Sequence, residues 1–247
     1  MNLGLTGRTA IVCGASAGMG LAVAEAFAAE GMNVVMFARR RKVLEAEAER
    51  LGALAVQGDV TNPPDCERLV QRTVDAFGGV DVLLNNSGGP ARGPALEVTE
   101  ESLEGAVALL LVSAVRLTNL CLPYLRKSSA GRVINIGSST VREPADNLAL
   151  SNAVRPGIVG WAKTLARELG PDRITVNTIA PGRIDTERIV EAYPDGPTEK
   201  DLRAIPLRRL GRPDEIASVV TFLASDAGSY VTGAVIAVDG GLTRGLL

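Results

Sequence analysis

The stretch LSNAVRPG, residues 150–157, sets Ser151 and Arg155 four residues apart, so on a helix both side chains share one face. A hydroxyl and a guanidinium in that relation can hold a sugar hydroxyl, a carboxylate or a developing enolate by charge-assisted hydrogen bonds. They cannot relay protons well. The guanidinium keeps its charge at any working pH, and a serine hydroxyl is short and weakly acidic. Pro156 follows directly; in a helix interior it removes a hydrogen bond and costs about 3 kcal/mol, so a kink near Asn152 is expected. The chain has no histidine, which excludes an imidazole base and any His-ligated metal; no metal site is expected.

A second group of residues sits where apolar runs end. The first run closes in CGASAGMG, giving Gly14, Gly18 and Gly20, with Ser16 and Met19 in the same turn. Glycines there let the backbone turn tightly and let a phosphate approach the free N–H groups of the next helix. Tight strand–helix packing explains glycines equally well, and the spacing is not GxGxxG. Further chain-end groups are Ala38 followed by Arg39, Arg40 and Arg41; Asp59 and Val60 after GlyAsp; Asn85, Asn86, Ser87 and Gly88; and Pro181, Gly182 and Ile184. All would lie at carboxyl ends of strands, where ligands bind in open α/β sheets.

The elements that must position these residues alternate in type. Short β-branched runs at 8–13, 33–37, 53–57, 80–85, 132–136, 174–179 and 235–238 read as seven strands, most of them apolar without alternation, as strands covered on both faces are. Amphipathic stretches at about 18–30, 41–51, 65–77, 99–127, 147–169 and 213–224 read as helices. This is an α/β chain: a single-domain doubly wound Rossmann-type parallel seven-stranded sheet with helices on both faces, spanning 1–247. Residues 183–210 break the rhythm, carry three prolines and read as a lid segment within that domain. The formal net charge is −2, which gives no basic field for nucleic acid. No apolar run is expected to span a membrane, no secretory signal is visible, and three dispersed cysteines fit a reduced, cytoplasmic setting.

In this order the motifs resemble the short-chain dehydrogenase/reductase family, and in particular a divergent β-ketoacyl reductase-like branch in which Ser and Arg replace a Tyr–Lys pair. The resemblance runs from about Gly7 to Gly241. It implies that Gly14, Gly18, Met19 and Gly20 surround a pyrophosphate, with Ser16 near the ribose. Asp59 and Val60 would flank adenine, Asn85, Ser87 and Gly88 would border the ribose, and Pro181, Gly182 and Ile184 would sit beside the nicotinamide. A site for NAD places an acid at the end of the second strand; here Ala38 and arginines stand there, so the expected cofactor is NADP(H), with Arg39 as main contact to the 2′-phosphate and Arg40 as second. Ser138 fills the family's serine position, Ser151 the tyrosine's, Arg155 the lysine's and Leu110 the asparagine's.

The expected activity is NADP(H)-dependent hydride transfer to a carbonyl or activated alkene of a small molecule, from an atypical site of Ser138, Ser151 and Arg155. Glu143, Asp146 and Tyr193 are candidate replacement acids. A non-redox enzyme on the same fold, such as a dehydratase, isomerase or cyclase, and a catalytically silent NADP-binding protein stay open as alternatives. The long Ala/Leu/Val-rich helices imply, through the resemblance, a homotetramer, with a dimer second.

Overall fold

The computed structural model describes residues 3–193 and 195–245. All seven expected strands form: β1 (Thr9–Cys13), β2 (Asn33–Ala38), β3 (Leu54–Gln57), β4 (Val82–Asn85), β5 (Arg132–Ile136), β6 (Thr175–Pro181) and β7 (Val235–Val238). They make one parallel sheet in the order β3-β2-β1-β4-β5-β6-β7. The inner strands β1, β4, β5 and β6 are buried along their whole length, because helices cover both faces. On one face α1 (Gly18–Ala29) packs with α9 (Pro213–Ala224) around Phe27, Ile216 and Val220. On the other, α3 (Pro63–Phe77), α5 (Ser113–Leu125) and α6 (Ala149–Leu169) close over Leu69, Leu117 and Ala162.

Local sequence fixes the helix ends. α2 (Arg41–Leu51) and α3 each stop at a left-handed glycine, Gly52 and Gly78. α4 (Glu100–Val107) opens with a Thr99–Ser102 capping box, and α9 opens on Pro213 with the Glu215 carboxylate accepting from the Arg212 N–H at 2.7 Å. The strand order reverses between the paired strands β1 and β4, so the connections that leave their carboxyl ends run to opposite faces of the sheet and open a crevice there.

Four sequence readings need correction or refinement. The single helix expected over 99–127 is three pieces: α4, a π-helical turn over Ala108–Val112, and α5. The stretch Glu100–Leu125 is long and apolar enough to cross a membrane, contrary to the reading that no run is; here it lies on the sheet, burying Leu110, Leu117 and Leu125, with the Arg116 guanidinium tied to the Val60 carbonyl at 3.1 Å. α6 runs unbroken through Pro156, which lies on its exposed side. Asn152, where the kink was expected, exchanges two side-chain hydrogen bonds with the Ala145 backbone, at 3.2 and 2.9 Å. Residues 183–210 contain two short helices, α7 (Glu187–Ala192) and α8 (Glu199–Arg203); Pro194, one of the three prolines there, lies outside the described residues.

Ile134, fully buried at the centre of β5 between Leu84 of β4 and Asn177 of β6, tests this packing. Ile134→Ala is expected to lower the unfolding free energy by about 2–5 kcal/mol in urea titrations; an unchanged midpoint would contradict the assigned core.

Candidate active site at the carboxyl ends of the central strands

The glycine turn after β1 is shaped by what touches it. Gly14 and Gly18 have φ of 63° and 56°, which favours glycine. A Cβ on Gly14 would lie 2.7 Å from the Asn86 side chain and carbonyl, and one on Gly20 would land on the Gly14 carbonyl oxygen. Asn86 holds the turn from β4, donating to the Cys13 carbonyl at 3.2 Å. Ala17, at the N-cap of α1, offers no side-chain acceptor, so the helix's first N–H groups are not capped by its own chain. That cradle fits a dinucleotide pyrophosphate: glycine surface for close approach, and helix N–H groups to receive an anion. Met19 faces the core rather than the turn's rim.

The arginines after β2 point to different protein partners. Arg39 is 78% exposed along its side chain, 3.9 Å from Asp59. Arg40 is the one that reaches back to the glycine turn, with Nε 3.4 Å from Ser16 Oγ and Nη2 3.5 Å from the Ser16 carbonyl. Its Nη1 also binds Glu187 of α7 at 3.0 Å. Asp59 anchors its own loop, accepting from the Thr61 N–H and hydroxyl at 2.8 Å each. Val60 offers its carbonyl to Arg116 and Cys66. At the far side, Pro181 ends β6, a Cβ on Gly182 would lie 2.7 Å from the Cα and Cβ of Asp239, and Ile184 is buried and bridged to Gly211.

Ser151 and Arg155 of α6 belong to one buried polar string. Arg155 is 7% exposed. Its Nε donates to Ser151 Oγ at 3.1 Å, Nη1 to the Ile136 and Gly137 carbonyls at 3.1 and 2.8 Å, and Nη2 to the Gly88 carbonyl at 2.9 Å. Burial first, and Arg188 second, push its pKa down to about 10, which still leaves a cation at neutral pH. Ser151, 5% exposed, is 3.1 Å from Thr140 Oγ1. Its hydroxyl is therefore enclosed between Thr140 and Arg155 instead of pointing into the crevice. Ser138 caps the short 3-10 turn Ser139–Val141, its Oγ accepting from the Thr140 N–H at 3.2 Å. Among the described residues no acceptor engages the Ser138 hydroxyl hydrogen, which leaves it able to donate.

Asn85 is buried with its side chain turned inward. Nδ2 donates to Asn135 Oδ1 at 2.9 Å and Thr118 Oγ1 at 3.3 Å, so this side chain faces the interior and not a ribose. Asn85, Asn135, Ser87, Leu110, Ser113 and Arg155 border an internal cavity of about 10 Å³. Asn85 Oδ1 and Asn135 Nδ2 have no protein partner, and a cavity of that size is near the minimum for one water. Leu110, in the π-helical turn, supplies an apolar wall there. Of the replacement acids, Glu143 accepts from the Arg244 N–H at 3.0 Å and Tyr193 lies under the Arg183 guanidinium at 5.8 Å; Asp146 is exposed. None joins the Ser138–Arg155 group. The sequence reading missed Thr140, Glu187, Arg188 and Thr186, whose methyl lies 3.2 Å from where a Gly18 Cβ would be. Only the fold brings them here.

Against known proteins, a family model described as enoyl-(acyl carrier protein) reductase matches residues 14–243. The 3-oxoacyl-[acyl-carrier-protein] reductase FabG of Vibrio cholerae is 36% identical over 242 residues, covering 97% of this chain and 99% of the relative. The crystal structure of YwfH, an NADPH-dependent reductase involved in bacilysin biosynthesis, superposes with a TM-score of 0.92 at 28% identity, covering 97% of this chain and 99% of that one. L-Sorbose reductase of Gluconobacter frateurii, complexed with NADPH and L-sorbose, gives 0.91 at 30% identity over 100% of both chains.

Arg155→Met tests the guanidinium as a strut between the β4 and β5 ends. Losing donors to the Gly88, Ile136 and Gly137 carbonyls is expected to cost about 1–3 kcal/mol of stability and to speed amide exchange at residues 87–89. Unchanged stability with unchanged exchange would contradict the role.

Proposed function

The chain belongs to the short-chain dehydrogenase/reductase family, and from that premise we propose that it is an NADPH-dependent reductase with a non-standard proton route. Its substrate is a small molecule with a carbonyl or an activated alkene. The observation that carries the reading is the pairing of an open glycine cradle at Gly14–Gly20 with a buried Ser151–Arg155 pair that cannot shuttle protons.

Gly14, Gly18 and Gly20 would hold the pyrophosphate against the α1 N-terminus. Arg40, with Arg39 beside it, would take the 2′-phosphate. NADPH, when bound, supplies the hydride. Ser138 would donate its free hydroxyl hydrogen to the substrate oxygen, and the Arg155 cation would stabilise negative charge developing there. An enolate formed by conjugate addition can wait for a proton from water, which removes the need for a tyrosine. Residues 183–210 would act as the lid, carrying Glu187 and Arg188 to the crevice. The partly exposed apolar side chains Leu103 and Val112 along the 100–125 helices support a homotetramer, with a dimer second; no nucleic-acid or membrane partner is proposed, and the setting is cytoplasmic.

NADPH loss, followed by its absorbance against paired ketones and enones, tests the reading: enones are expected to be reduced faster. Product formed without NADPH loss would overturn it in favour of a non-redox enzyme, and NADPH binding with no turnover of any compound in favour of a silent binder. Two finer outcomes are expected. Arg40→Ala should weaken NADPH about tenfold and leave NADH unchanged in fluorescence titrations. The pH profile of kcat/KM should vary by no more than about twofold from pH 6.5 to 8.5, since no histidine or paired tyrosine titrates in the site; a steep limb there would point to a hidden acid.

A further inference from the structure

Arg39 and Arg40, the two side chains expected at a 2′-phosphate, each face a carboxylate. Arg39 lies 3.9 Å from Asp59 Oδ2. That contact is loose, and the other oxygen of Asp59 is held by the Thr61 N–H and hydroxyl at 2.8 Å each. Arg40 is engaged more closely: its Nη1 donates to both oxygens of Glu187, at 3.2 and 3.0 Å. Two cations thus stand against two anions, and their formal charges cancel.

Glu187 comes here from 147 positions away in the chain, placed by anchors just before it. Ile184 is buried and bridged to Gly211, and the Asp185 N–H donates to the Gly211 carbonyl at 2.8 Å. Thr186 then sets its methyl 3.2 Å from the place of a Gly18 Cβ. The first residue of α7 therefore opens beside the glycine turn, which Arg40 reaches through Ser16 at 3.4 and 3.5 Å.

The Arg40 and Glu187 side chains are 46% and 68% exposed. An ion pair this exposed contributes little to stability and opens readily, so it does not close the site. It does occupy a guanidinium nitrogen and neutralise a charge that a dianionic phosphate would otherwise meet unopposed. The ribose 2′-hydroxyl of NAD(H) is neutral and meets no such rivalry. We propose that Glu187 is a cofactor-selecting residue: it shares Arg40 with the 2′-phosphate and lowers the preference for NADP(H) over NAD(H) below what two unopposed arginines would give. The inference rests on the reductase reading above for the place of the cofactor.

Calorimetry at about 20 mM salt, where exposed charges are little screened, measures NADP+ and NAD+ binding to wild type, Glu187→Gln, Arg40→Ala and the double variant. Glu187→Gln is expected to bind NADP+ about three- to fivefold tighter, as release of one exposed ion pair would give, and NAD+ within about twofold of wild type. Raising the salt to about 500 mM should erase most of that gain. In the Arg40→Ala background the Glu187 change should move NADP+ affinity by less than about twofold, since no guanidinium is left to share. Unchanged NADP+ affinity in Glu187→Gln overturns the proposal and leaves an ordinary surface pair. So does an equal gain for both cofactors, which would assign Glu187 to the packing of α7. A weaker hold on NADP+, which would make Glu187 the support that orients Arg40, or a gain that survives without Arg40, overturns it as well. In each of these cases the cofactors still bind and the reductase reading stands. If wild type binds neither cofactor, that reading falls at the first titration and takes the Glu187 assignment with it.

Discussion

Arg155 joins the ends of two adjacent strands from the side facing the crevice. One guanidinium meets Gly88 beyond β4, Ile136 at the end of β5, Gly137 just after it, and Ser151 one turn back on its own helix. Planarity makes this possible: five N–H groups in a fixed fork reach carbonyls on two strands at once, which a single lysine ammonium cannot do from the same position. The consequence is chemical as well as mechanical. A cation tied down in this way, at 7% exposure, can stabilise charge but cannot accept and release protons. Ser151 is drawn into the same string and pinned against Thr140. Ser151 and Arg155 thus brace the strand ends as one buried polar string.

The cofactor half of the crevice obeys a different constraint, close approach of backbone. Gly20 is required because a side chain there would strike the Gly14 carbonyl, and Gly14 because Asn86 presses on it from β4. Residues 183–210 tie the two halves together through neighbouring residues of α7. Glu187 pairs with Arg40 beside the glycine turn, and Arg188 lies on Gly89 and Pro90 beside the Gly88 carbonyl that Arg155 holds.

The strand framework was legible because its causes are local: unbroken β-branched runs, glycine-terminated helices and a repeated alternation. The tight glycine turn after β1 was legible for the same reason. What escaped depends on contacts between distant segments. Asn85 sits at a strand end, as read, but its amide finds Asn135, fifty positions away, and turns inward. Arg40 meets both Ser16 and Glu187, the latter 147 positions away, a juxtaposition no local pattern encodes. The π-helical turn at Ala108–Val112 left no mark in the hydrophobic spacing, because ALLLV is apolar at every position and shows no phase for an added residue to shift. Pro156 was read as a break; on the exposed side of α6 it interrupts a turn that buried neighbours Val154, Arg155 and Ile158 hold in place.

The central claim is that a dinucleotide cradle stands beside a fixed cation in place of a proton shuttle. Crystallography of the chain grown with NADP+ addresses it most directly. The account predicts cofactor density along the Gly14–Gly20 turn, the nicotinamide next to Ser138, and Arg155 still bound to the Gly88, Ile136 and Gly137 carbonyls. A bare crevice, or a tyrosine hydroxyl moved to hydrogen-bond distance of the nicotinamide ribose with Arg155 released, would contradict it.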